Sequence, residues 1–96
     1  MLFGDVIGTV VATRKDEALE GLRFLAVQPV DAFGKKAGGY VVCVDAVGAG
    51  VGERVLFAAG SSARQTSITK DRPVDHVVMA IVDTVYIHDD VAYQKT

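Results

Sequence analysis

Tryptophan is absent from the 96 residues, proline occurs twice and cysteine once. A lone cysteine excludes an intrachain disulfide, and the place of Cys43 inside Tyr40-Val41-Val42-Cys43-Val44 predicts a small buried hydrophobe. No apolar run approaches the roughly 20 residues that a membrane-crossing helix needs, and the N-terminus carries Asp5 and lacks the basic segment of a secretion signal. A cytoplasmic protein with no membrane partner is expected. Excess positive charge is missing too: 10 Lys and Arg stand against 12 Asp and Glu, a net charge of -2. Such a chain has no general attraction for phosphate backbones. What it has is apolar content, half of its residues. A chain of this length holds one domain, residues 1–96, and a domain so small leaves much of its surface in water. Part of the apolar surface is therefore expected to face another subunit.

The patterning is that of strands. Val6, Ile7, Thr9, Val10, Val11 and Thr13 crowd the segment from Leu2 to Thr13 with β-branched side chains, which favour a pleated strand. After the charged break Arg14-Lys15-Asp16-Glu17, a second strand is expected from Leu22 to Gln28, closed by Pro29, which cannot donate to a ladder. Val30 to Gly39 mixes Asp, Gly and Lys as a wide hairpin connection does, and a third strand follows from Tyr40 to about Ala46. Gly48-Ala49-Gly50-Val51-Gly52 interrupts the pattern before a short strand, Arg54 to Ala58, with Val55 and Phe57 on one face. Ser61 to Thr66 is the one candidate helical turn, with Ser62 as its cap and Gln65 at capping-box spacing; Asp71-Arg72-Pro73 cannot continue it. The last strand is expected from Val77 to Ile87, followed by a tail. Five strands and one turn between the fourth and fifth imply an all-β fold, a small closed barrel of the oligonucleotide-binding type.

Several chemistries are suggested and fail on spacing. The glycine segment follows a strand, but its spacing is not that of a dinucleotide fingerprint and no helix follows to present N–H groups to a phosphate; no cofactor is expected. Ser61 or Ser62, His76 or His88, and Asp83 supply the residue types of a hydrolytic triad without a nucleophile elbow, so no catalytic residue is assigned. His76, His88 and Cys43 lack metal-ligand spacing. Oligonucleotide binding, the alternative for such a barrel, needs aromatics interleaved with Lys and Arg on one face, whereas Phe3, Phe24, Phe33, Tyr40, Phe57, Tyr86 and Tyr93 are scattered; no nucleic-acid partner is expected. Asp45 and Asp83 lie in apolar strands, where an ionised carboxylate must find a cation or hydrogen bonds. Arg64 and Arg72 are the candidate partners, within the chain or across a subunit boundary.

Linked stretches are more specific. Gly8-Thr9-Val10-Val11-Ala12-Thr13-Arg14-Lys15, Leu19-Glu20-Gly21-Leu22-Arg23-Phe24-Leu25 and Val27-Gln28-Pro29-Val30-Asp31 are joined by Asp45-Ala46-Val47-Gly48-Ala49-Gly50-Val51-Gly52-Glu53. Gly60-Ser61-Ser62-Ala63-Arg64-Gln65, Arg72-Pro73-Val74-Asp75 and Ala80-Ile81-Val82-Asp83-Thr84-Val85 complete the set. In order and spacing they resemble the EutN/CcmL family of microcompartment shell vertex proteins. The resemblance implies a non-enzymatic, five-stranded barrel that forms a cyclic homopentamer with a narrow opening and caps the five-fold corners of a polyhedral shell, beside hexameric and pseudohexameric shell proteins. It also implies that Gly48, Ala49, Gly50, Val51 and Gly52 lie near the five-fold axis. Ser62, Ala63, Arg64, Gln65 and Asp45 are then expected to make or support subunit contacts. Carboxysome and catabolic shells both fit, with Ser61 to Thr66 leaning toward the catabolic kind.

Overall fold

The β-branched opening run forms β1, Leu2–Val10, in a computed structural model that describes residues 1–96. Four further strands build the barrel wall: β2 (Phe24–Val30), β3 (Val41–Asp45), β4 (Arg54–Ala59) and β5 (His76–Ile81). They close in the order β1-β2-β3-β5-β4. Every neighbouring pair is antiparallel except the seam, where β3 and β5 run parallel over Val44–Val77 and Asp45–Val78. A closed wall has no unpaired edge to offer another chain. Bulges between Val6 and Gly8 and between Leu56 and Phe57 break the register, and bulges bend a sheet in the way closure requires.

Inside the wall Val6, Leu25, Val27, Cys43, Ala49, Val55, Phe57 and Val78 make the main core. A second cluster of Val44, Ala58, Ala63, Val74 and Val77 sits under the segment between β4 and β5. Cys43 is buried, and burial, helped by the charge of Asp75, pushes its thiol up to about 12. It is inert at neutral pH.

The structure corrects the expected elements at five places. β1 stops at Val10 because its ladder with β2 ends at the Val10–Phe24 pair. β2 runs through Pro29 to Val30: the Pro29 carbonyl accepts from Ala37 N–H on the side away from β1, and the ring nitrogen faces that same side, so β1 loses no bond. The charged break contains a 3-10 turn, Glu17–Leu19, capped by the Asp16 carboxylate, which accepts from Ala18 N–H at 2.9 Å. The turn after β4 is also 3-10, Gly60–Arg64, with Ala59 at its cap position and no side-chain cap. Ser62 therefore lies within the turn rather than at its start.

The fifth correction concerns the C-terminus. The expected final strand Val77 to Ile87 breaks at Val82 and Asp83, where Val82 is buried and its N–H donates to the Arg54 carbonyl. Beyond the break, β6 (Thr84–Ile87) and β7 (Asp90–Gln94) form a separate hairpin. Its two-residue turn, His88-Asp89, has both φ angles positive, at 50° and 67°, as a type I′ turn requires. Neither residue is glycine, which is why the turn is silent in sequence.

Gly4 is the tightest point of the wall. A Cβ there would overlap a Val27 methyl and sit 3.1 Å from Phe57, whereas one at Gly8 would meet nothing within 4 Å. Gly4→Ala is therefore expected to cost about 2 kcal/mol and Gly8→Ala close to nothing, read as shifts in urea midpoint at unchanged slope.

Candidate functional site

The glycine loop between β3 and β4 is held by side chains at both of its ends. At the first, the Asp45 side chain is 3% exposed. Its Oδ1 accepts from Val47 N–H at 3.1 Å, Gly48 N–H at 3.0 Å and Ala49 N–H at 3.2 Å. Its Oδ2 accepts from the Arg23 guanidinium, whose Nη1 also donates to the Ala49 carbonyl at 2.7 Å. One ion pair therefore orders donors and an acceptor of the same loop. Burial by itself would raise the Asp45 carboxyl, but the N–H groups of Val47 and Ala49, the Arg23 guanidinium and the Gly48 N–H outweigh it and hold the carboxyl below its usual 3.8.

At the second end, Glu53 Oε1 accepts from Gly50 N–H at 2.7 Å and Oε2 pairs with Lys95 Nζ at 2.7 Å. The Lys95 ammonium and then the Gly50 N–H hold this carboxyl below the usual range. Gly52 N–H donates to the Val6 carbonyl at 2.8 Å and Val6 N–H to the Glu53 carbonyl at 3.0 Å, which sews the loop to β1. Gly48 and Gly52 have φ of 77° and 91°, a region that side chains disfavour. The five residues do not all face outward. Ala49 is buried in the main core, while Gly48, Val51 and Gly52 are exposed.

The structure gives Asp45 a partner other than those expected. Arg23 holds it, within the chain, while Arg64 Nη1 donates to the Val74 carbonyl at 3.1 Å and Arg72 Nη1 to the Ala18 and Glu20 carbonyls at 2.9 Å each. Arg64 and Arg72 thus tie loops together. Asp83 is exposed at the strand break, where it needs no partner. Ser62, Arg64 and Gln65 lie exposed on the turn after β4, and Ala63 is its buried foot in the second core cluster. His76 faces Asp75, with Nδ1 3.2 Å from Oδ1, and leans on the Phe57 ring, while His88 sits in the hairpin turn.

Arg23, Glu53 and Lys95 are the residues that reading by type passed over. Arg23 and Glu53 do stand inside the stretches quoted above, but their contacts span 22 and 42 positions and have no local signal. Asp45→Asn keeps an acceptor for the loop N–H groups but loses the charge that Arg23 requires, and is expected to cost about 2 kcal/mol near neutral pH. The native carboxyl titrates below the unfolded one, so this advantage is complete above about pH 4 and is lost as pH falls through the depressed native value. Urea midpoints of both proteins measured from pH 7 down to acid should converge; parallel curves would deny Asp45 this role.

Residues 1–83 match the family model described as ethanolamine utilisation protein EutN/carboxysome. The carboxysome shell vertex protein CcmL of Gloeobacter violaceus is 44% identical over 95 residues, covering 99% of this chain and 95% of that protein. The structure of Escherichia coli EutN, an ethanolamine utilisation protein, superposes with a TM-score of 0.88 at 38% identity over the full length of both chains. GrpN from Rhodospirillum rubrum, a pentameric microcompartment shell protein, superposes with a TM-score of 0.82 at 45% identity, covering 91% of this chain and 99% of that one. With its closed five-stranded barrel, its anchored glycine loop and a match over 83 residues, the chain belongs to the EutN/CcmL family.

Proposed function

We propose that this chain is a structural subunit of a bacterial microcompartment shell in the cytoplasm, assembling as a cyclic homopentamer that caps the five-fold vertices. The observation that carries the reading is the match in sequence and fold, over nine-tenths or more of the chain, to shell vertex and pentameric shell proteins. The surface of the barrel supports it. Leu2, Ile7, Tyr40, Val42 and Val51 are all more than two-fifths exposed, apolar area that a neighbouring subunit would cover. Because the wall is closed, association through the barrel uses side-chain faces rather than strand addition. A ring built head to tail uses two unlike faces of each subunit and closes when the rotation fits.

In this reading the one domain has a mechanical role, with no catalysis and no cofactor. Hexameric and pseudohexameric shell proteins surround it, and the five-fold unit supplies the closure that a flat layer of hexamers lacks. The Gly48 to Gly52 loop lies at the axis, with Asp45 and Arg23 as its support. Ser62, Arg64 and Gln65 face a neighbouring subunit, and Ala63 anchors their turn. Small exposed residues suit such an axis because five copies of one loop must approach each other there.

Light scattering after size exclusion tests the ring directly, with five times 10.2 kDa, about 51 kDa, expected across a dilution series. A stable monomer would overturn it. A second test uses Gly50, where a Cβ would meet only Glu53 Oε1, at an ordinary 3.5 Å, and where φ is not positive. Gly50→Phe is expected to fold with stability changed by no more than about 1 kcal/mol, yet to weaken the ring or block its opening, as seen by mass and electron microscopy. An unaltered ring with an unaltered opening would place the loop elsewhere.

A further inference from the structure

The β6–β7 hairpin is the element least accounted for by its own chain. It pairs only with itself. Its ties to the barrel are few: Arg54 lies 4.2 Å from the Tyr93 ring centre, and Lys95 reaches Glu53. A two-stranded hairpin is marginal in water unless a face is covered. Here one face turns Val85, which is buried, and its cross-strand partner Tyr93, half-buried, toward the barrel. The next cross-strand pair, Tyr86 and Val91, is 67% and 56% exposed. At the tip, Asp89 and Asp90 are both exposed beside His88.

Complementary charge lies elsewhere on the surface. The segment from the second 3-10 turn to Asp71 forms a concavity with an entirely polar lining that includes Ser61, Arg64, Ser67, Lys70 and Asp71. Its two cations outnumber its one carboxylate, and the Lys70 side chain makes no bond within the chain. Ile68, in the same segment, is 41% exposed.

We infer that the hairpin is an arm that docks on a second copy of this chain, with its acidic tip received by that copy's Arg64–Lys70 concavity. The inference rests on the ring reading above and deepens it by naming the two faces that meet. A head-to-tail ring needs two unlike surfaces on one chain that complement each other, and the tip and the concavity are opposite in charge and share no residue. Opposite charges set the register of such a contact, while Tyr86 and Val91 bring apolar area that a neighbour can cover.

The test is a charge swap read by light scattering over a dilution series, with near-ultraviolet circular dichroism to verify the fold. Asp89→Asn with Asp90→Lys reverses the tip, and Asn tolerates the positive φ at position 89. Arg64→Gln with Lys70→Glu reverses the concavity; Lys70→Glu alone serves if loss of the Arg64–Val74 bond unfolds the chain. Each reversal is expected to raise the concentration at which the ring dissociates at least tenfold, and the chain carrying both reversals to recover most of that loss. A tip or concavity variant that keeps the wild-type mass through the same dilution overturns the arm, as does a double reversal without recovery. A wild-type chain that is itself monomeric overturns the ring reading together with the arm.

Discussion

One buried carboxylate organises the loop between β3 and β4. Asp45 ends β3 almost out of water, where an unpaired charge would be untenable. It is satisfied by three consecutive loop N–H groups and the Arg23 guanidinium, while its own N–H donates to the Arg23 carbonyl at 2.9 Å. Arg23 then turns back to the Ala49 carbonyl. The loop is therefore gripped through its donors by the acid and through its acceptor by the base. Ala49, pulled into the core by this arrangement, leaves the glycines and Val51 at the surface. A loop so anchored is held at both ends by charge as well as by backbone.

Arg54 does for the barrel and hairpin what Asp45 does for the loop. It lies opposite Asp5 in the β1–β4 register and binds it through two bonds of 2.7 and 3.1 Å, so an ion pair sits on the strand pair that closes the barrel. Its guanidinium is covered by the Tyr93 ring, which belongs to the hairpin. Closure of the wall and attachment of the hairpin thus share one side chain. Gly34 makes room for it, since a Cβ there would come within 2.9 Å of the guanidinium. Lys95 adds a second bond from the hairpin strand's end to Glu53, and through it to Gly50, so the hairpin and the glycine loop are mechanically connected.

How much of this was legible depended on the range of each interaction. β-branched runs and glycine breaks announced β1 to β4 because those signals are local. The short turn between β4 and β5 was visible for the same reason, though its serine cap was not realised: Gly60, at a φ of 68°, swings the chain off β4 and the turn begins behind Ala59. The apolar stretch from Val77 to Ile87 looked continuous because nothing in it breaks a strand. It ends at Ile81 because β4 begins at Arg54: the Val82 amide makes the last ladder bond, to the Arg54 carbonyl, and Asp83 finds no strand residue opposite it, so pairing is limited by a strand 28 positions earlier. Likewise Asp45 plainly needed a cation, but proximity in space, not along the chain, selected Arg23.

The amino-acid sequence by itself determined that this protein is a small all-β barrel with one cysteine in an apolar strand and a glycine loop. Those properties follow from side-chain shape, backbone freedom and local pattern. Its ordered stretches were also enough to mark the family. Only the tertiary structure decided which charges pair, that the last strand becomes a separate hairpin, and which loop residues face outward. These outcomes arise from contacts between distant segments, where burial makes each unpaired charge costly and geometry leaves few partners within reach.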